Sequence, residues 1–163
     1  FSEALKVNIK TEKEMQAREK RRALILDELV KDSKISYPAA LREYELDDME
    51  ARLKDDLSRI GQTLESYFTQ TKKTREQVRA EWKDAADKRA KVRLILTEIA
   101  RKESIEPDEK ALDHELEHAK KHYAQADPIA LRAHISHAMR NDATLRFLAG
   151  EQQPPAHHHH DHA

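Results

Sequence analysis

The sequence has little glycine, no cysteine and no long apolar run, and each shortage excludes a class of protein. Only 2 of its 163 residues are glycine, whereas β-sheet and α/β chains need more glycine for their turns. Because cysteine is absent, a disulfide framework and a thiolate site are both excluded. The longest apolar run, Ala23-Leu24-Ile25-Leu26, is much too short to span a membrane. We therefore expect an all-α protein without a membrane partner.

The charge pattern excludes further functions. Charged residues make up 37% of the chain, yet the net charge is only −1, so no basic footprint for nucleic acid is expected. Two glycines cannot build a phosphate-binding loop, and no serine lies in a nucleophile-elbow context. We therefore expect no enzyme activity, no cofactor and no nucleic-acid partner.

Apolar residues recur every three or four positions and predict five helical segments. Helix start and stop residues bound them: Ser2–Ser33 with Ser2 as N-cap, a helix from Pro38 that bends or restarts at Gly61 with Thr63 recapping, Arg75–Glu103 capped by Thr74, a helix from Pro107, and one from Asp127-Pro128 to Gly150. On each predicted helix these apolar residues form only a thin stripe. Thin stripes favour an elongated multi-helix domain of antiparallel hairpins over residues 1–151. Residues 152–163 are predicted to be a disordered histidine-rich tail or a purification tag.

Residues His114–His118 read HELEH and match H-E-x-x-H, the motif of zinc metalloproteases. Such an enzyme needs both histidines beneath a substrate cleft and a third protein ligand. Helical spacing instead gives the buried face to Leu112, Leu116, Ala119 and Tyr123. The histidines should therefore point to solvent, and the match is interpreted as accidental.

No functional metal site is expected anywhere in the chain. Exposed histidines can still bind metal adventitiously, in a ladder on the fourth helix and in the tail. These residues are His114, His118, His122, His157, His158, His159, His160 and His162.

Aromatic and apolar side chains cluster near the predicted hairpin ends. Elongated hairpins have too little neighbouring mass to bury all of them, and leftover apolar patches suit weak contacts with apolar segments of partners. The candidate partner-binding residues are Tyr44, Met49, Leu53, Tyr67 and Phe68.

Two stretches carry a family resemblance: the first is EKRRALILDELVKDSKISYP, and the second is RIGQTLESYFTQTKKTREQVRAEWKDAADKRAKVRLILTEIARKESIEPDEKALDHELE. With them the chain resembles the C-terminal domain of bacterial trigger factor, a ribosome-associated chaperone, from about Phe1 to Leu148. HELEH falls where that family carries a plain acidic helix. The matching positions are Gly61, Leu64, Glu65, Tyr67, Thr74, Arg89, Val92, Ile99, Ala100 and Ile105.

The resemblance implies an ATP-independent, cytoplasmic chaperone domain whose two helical arms cradle unfolded or nascent polypeptides. The family binds ribosomes and isomerises prolines through upstream segments, so neither activity is claimed for this chain. Self-association stays open. One alternative is a helical scaffold or dimerisation module with one fixed partner, and a more remote one is a zinc hydrolase acting through HELEH.

Overall fold

The computed structural model describes residues 1–151, and the predicted tail at 152–163 lies outside them. The described residues form seven α-helices and no strand, which confirms the all-α prediction. The helices are α1 (Ser2–Asp32), α2 (Ala39–Arg59), α3 (Leu64–Thr71), α4 (Arg75–Glu81), α5 (Lys83–Lys102), α6 (Glu109–His122) and α7 (Pro128–Ala149).

The chain divides into two compact units. Among the described residues, unit 1 contains Phe1–Asp27 and residues 96–151, and unit 2 contains Glu28–Ile95. The core of unit 1 is built from small and leucine side chains: Leu96, Ala100, Leu112 and Leu116. The core of unit 2 consists of Leu46, Leu57, Val78, Ala86 and Ala90. Both cores are small, as the thin apolar stripes predict.

The first helix is solvated over most of its length. Every residue from 1 to 21 is exposed, and no residue of α1 is buried. Half-buried positions begin at Arg22, which donates hydrogen bonds to Asp142 (3.2 Å) and to Glu151 within unit 1. The first helix is thus solvated at its start and partly covered near its end.

Helix boundaries follow the predicted signals at most positions. Thr63 and Thr74 each form a capping box, with Ser66 and Gln77 respectively, so the restart after Gly61 is confirmed. Asp127 caps α7 by accepting a hydrogen bond from the Ile129 N–H (3.3 Å). Gly150 ends that helix in the left-handed conformation, as expected.

Some boundary predictions and one burial prediction are wrong in detail. Ser2 is the first helical residue instead of the cap. The predicted third helix is interrupted at Trp82, where ψ is −5° instead of about −42°, so α4 and α5 are separate. Asp108 takes the cap position of α6 through its Oδ2, which accepts from the Ala111 N–H (2.9 Å), and the helix therefore starts after Pro107. Tyr123, predicted to be buried, is 63% exposed at the end of α6.

Ser104 ends α5 in a conformation that costs free energy for any residue except glycine. Its φ is +53°, and the Ile105 N–H donates to the Ala100 carbonyl (2.9 Å), the long-range hydrogen bond of a Schellman cap. Replacing Ser104 by glycine should raise the free energy of unfolding by about 0.5–1 kcal/mol, because glycine tolerates positive φ. Urea unfolding followed by circular dichroism measures the change.

Ser104→Ala is the matched control, because alanine keeps the left-handed strain and should give no gain. Lys72, with φ of +55° at the end of α3, provides the same test in unit 2. If glycine stabilises the protein at neither position, the positive φ angles do not cost the free energy that we expect.

Candidate functional site

The five candidate residues all lie in unit 2, three on α2 and two on α3. Met49 and Leu53 are half-buried and share, by helical spacing, the face of α2 that carries buried Leu46 and Leu57. They therefore lie beside the two buried leucines on one face of α2. Tyr44 lies on the opposite side of α2 and is 56% exposed. The structure therefore does not bring the three α2 candidates together on one face.

Tyr44 makes a cation–π contact with Arg93 of α5. The guanidinium of Arg93 lies 5.1 Å from the centre of the Tyr44 ring, a cation–π distance. The same guanidinium donates to the carboxylate of Glu45, from Arg93 Nε to Glu45 Oε1 at 2.6 Å. One face of the tyrosine is thus covered by a paired cation, while much of the ring remains in contact with solvent.

Tyr67 and Phe68 form an aromatic pair on α3. Their ring centres lie 5.9 Å apart in an edge-on arrangement, and both side chains are half-buried. The short helix carrying them is fixed at its start by the Thr63–Ser66 capping box. It packs against α2, so the pair has a defined position within unit 2.

Ion pairs join α2 to α4 beside these side chains. Arg79 contacts the carboxylates of Glu43 (3.1 Å), Asp47 (2.9 Å) and Glu50 (2.7 Å). Hydrogen bonds from Arg75 and then from Arg79 lower the pKa of Glu50 below its ordinary value, against the opposing effect of partial burial. This side of α2 is therefore charged and ordered, and does not suit apolar segments.

A cleft of about 290 Å³ lies within unit 2 and is lined mainly by polar side chains. The hydroxyl of Tyr37 donates a hydrogen bond to Asp87, which also pairs with Lys91 (3.0 Å). Burial, followed by the Asp87 hydrogen bond, raises the pKa of Tyr37 to about 12. The hydrogen bond from Tyr37 lowers the pKa of Asp87. Three of the polar side chains that line the cleft, Tyr37, Asp87 and Lys91, therefore bond to one another.

The histidines of HELEH point to solvent. His114, His118 and His122 are all exposed, whereas Leu112 and Leu116 are 3% and 7% exposed. The predicted orientation is confirmed. Over residues 1–151, no group of three or more histidine, aspartate or glutamate side chains is placed to hold a metal ion. The five tail histidines lie outside the described residues.

Comparison with known proteins decides the family. A family model described as bacterial trigger factor protein (TF) C-terminus matches residues 1–146. The chain belongs to this family. The resemblance predicted from the two sequence stretches is therefore confirmed, and the all-α fold agrees with it.

The chain matches only part of the length of individual trigger factors. The one from Carboxydothermus hydrogenoformans is 31% identical over 116 residues, covering 71% of this chain and 27% of that protein. The one from Listeria welshimeri is 27% identical over 147 residues, covering 90% and 34%. The chain thus spans about a third or less of the relatives it matches. No solved structure matches it.

Exposed apolar side chains occur on this trigger factor region at positions that the sequence analysis did not select. In unit 1, Tyr123 and Ile129 flank the connection between α6 and α7 and are 63% and 80% exposed. At the start of α1, Leu5 and Ile9 lie one helical turn apart and are also exposed. Their spacing was the available signal. The remaining large exposed apolar residues of unit 1 are Phe1, Val7, Met15, Leu24 and Phe147.

No described helix has the length and apolar content that a membrane-spanning segment requires; this statement covers residues 1–151.

Proposed function

We propose that residues 1–151 form an ATP-independent chaperone domain that binds unfolded or nascent polypeptides through scattered apolar side chains. The supporting observation is a set of large apolar side chains that stay exposed on a chain of which 37% is charged, in a member of the trigger factor family. Tyr44, Met49, Leu53, Tyr67 and Phe68 remain the proposed contact residues in unit 2.

Weak contact at several places is the binding mode that these side chains support. Tyr44 offers one partly open ring, and the Tyr67–Phe68 pair offers a second apolar area on another helix. Each area is small, so a single contact is weak, whereas a chain that touches several gains by multivalency. Ion pairs around Arg79 keep one side of α2 polar. An unfolded segment would therefore be held and released without a nucleotide cycle.

The remaining parts of the proposal are inferred from the family. The domain has no enzymatic step of its own, since the family match concerns the C-terminal region alone. It acts in the cytoplasm, and contact with ribosomes, where it occurs, is made by other parts of a longer protein.

The test is suppression of aggregation. The protein is added without ATP to several unrelated denatured proteins, and light scattering is followed as they are diluted into buffer. We expect suppression for all of them. Tyr67→Ser combined with Phe68→Ser should raise the protein concentration needed roughly fivefold, since losing about 1 kcal/mol of apolar contact corresponds to that factor.

A control pair lies on the same helix. Thr69 and Gln70 are exposed on α3, and replacing both with serine should leave suppression unchanged. Circular dichroism verifies that both double variants keep their helices, because Tyr67 and Phe68 are half-buried. Absence of suppression for every denatured protein would refute the proposal, and saturation by one partner only would favour the scaffold alternative.

A further inference from the structure

Two histidines near the end of α6 lie in a specific geometry that the proposed function does not use. His118 and His122 are exposed and one helical turn apart, and their ring centres are 5.3 Å apart with a tilt of 40°. Residues at this spacing are neighbours on a helix surface. The two rings are therefore already close to each other in the folded chain.

The separation agrees with that of two imidazoles sharing one metal ion. A zinc–nitrogen bond of about 2.0–2.1 Å places each ring centre roughly 3.2 Å from the metal. At a tetrahedral angle, the two ring centres would then be about 5.2 Å apart. The observed 5.3 Å therefore needs no change in the helix, and only side-chain rotation is required to aim both nitrogens at one ion.

We propose that His118 and His122 form a two-histidine site for a divalent transition-metal ion such as Zn²⁺, Ni²⁺ or Cu²⁺. Imidazole is a suitable ligand for all three ions. Water completes the coordination, because the described residues offer no group of three or more histidine or carboxylate ligands. Such an ion exchanges readily and sits at the surface, unlike the enclosed zinc of a protease.

The site differs from the HELEH motif in its residues. It uses the motif's second histidine together with one a turn further on, and it does not include His114. His122 is the last residue of α6, where a helix frays most easily. A metal ion joining its side chain to that of His118 links the last two turns. The bound ion should therefore suppress local opening at this end of α6.

The experiment uses the full chain with His157, His158, His159, His160 and His162 replaced by alanine, so that the tail cannot compete. Titration calorimetry with Cu²⁺, Ni²⁺ and Zn²⁺ should show one ion per chain, with Cu²⁺ bound most tightly. Either His118→Gln or His122→Gln should weaken binding at least about tenfold, because the second histidine binds as an intramolecular ligand. Hydrogen exchange should slow at the amides of residues 119–122 when the metal is added.

Two exposed histidines provide the controls. His114→Gln and His134→Gln change side chains of the same type on α6 and α7, and each should leave the affinity within about threefold. Equal losses from all four substitutions would mean an adventitious ion only and would overturn the proposal. Unchanged exchange at residues 119–122 on metal addition would overturn it as well.

Discussion

Replacing Glu45 by alanine is expected to lower the free energy of unfolding of unit 2 by about 3 kcal/mol. The Glu45 side chain is 1% exposed, and both of its oxygens accept hydrogen bonds from arginines: Arg89 Nε at 3.0 Å and Arg93 Nε at 2.6 Å. Removing the carboxylate leaves two guanidinium groups without their buried partner, and breaking a buried pair in this way costs about 3–5 kcal/mol. The arginines are 34% and 28% exposed, which places the effect at the lower end.

Unfolding of unit 2 can be followed through the fluorescence of Trp82, the single tryptophan of the chain. Glu45→Gln keeps the shape and one acceptor oxygen, so its effect should fall between those of wild type and Glu45→Ala. Glu43→Ala is the matched control, because Glu43 also pairs with an arginine but is 58% exposed. Its cost should be below about 1 kcal/mol. Equal costs for Glu43→Ala and Glu45→Ala would contradict a buried ion pair.

The sequence predicted the fold class and most helix boundaries because those signals are local. The capping boxes at Thr63 and Thr74 and the glycine stop at Gly150 depend on residues within a few positions. The orientation of HELEH was also predictable, since Leu112 before the motif and Leu116 within it define the inner face of α6. Each of these predictions needs only one helix.

Features that depend on other helices were not predictable. Glu45 looks like any other charged residue on α2, and its burial results from arginines 44 and 48 positions away in the sequence. The same reason explains the candidate site. Tyr44 stays exposed while Met49 and Leu53 are half-buried, because the cover of each side chain depends on helices that are distant in the sequence. The spacing of Leu5 and Ile9 on α1 is visible in the sequence, but only the fold shows that these side chains stay exposed.

Leu116→Ala is expected to lower the stability of unit 1 by about 3 kcal/mol. Leu116 lies inside HELEH and is 7% exposed. It is one of the two leucines of α6 in the core of unit 1. Removing its branched end loses the transfer free energy of the side chain and leaves a cavity, which together cost about 2–5 kcal/mol. Hydrogen exchange of the α6 and α7 amides measures the loss locally, because these helices pack against each other within unit 1.

The neighbouring residues make this substitution a test of what HELEH does. His114→Ala, at an exposed position of the same five residues, should leave amide protection nearly unchanged, and Leu116→Met should cost less than about 1.5 kcal/mol because it keeps the volume. If the leucine carries the stability and the histidines do not, the motif is a consequence of helix packing: an inward leucine surrounded by solvent-facing polar residues. A larger loss of protection from His114→Ala than from Leu116→Ala would instead mean that the histidine has a structural role that its exposed position does not reveal.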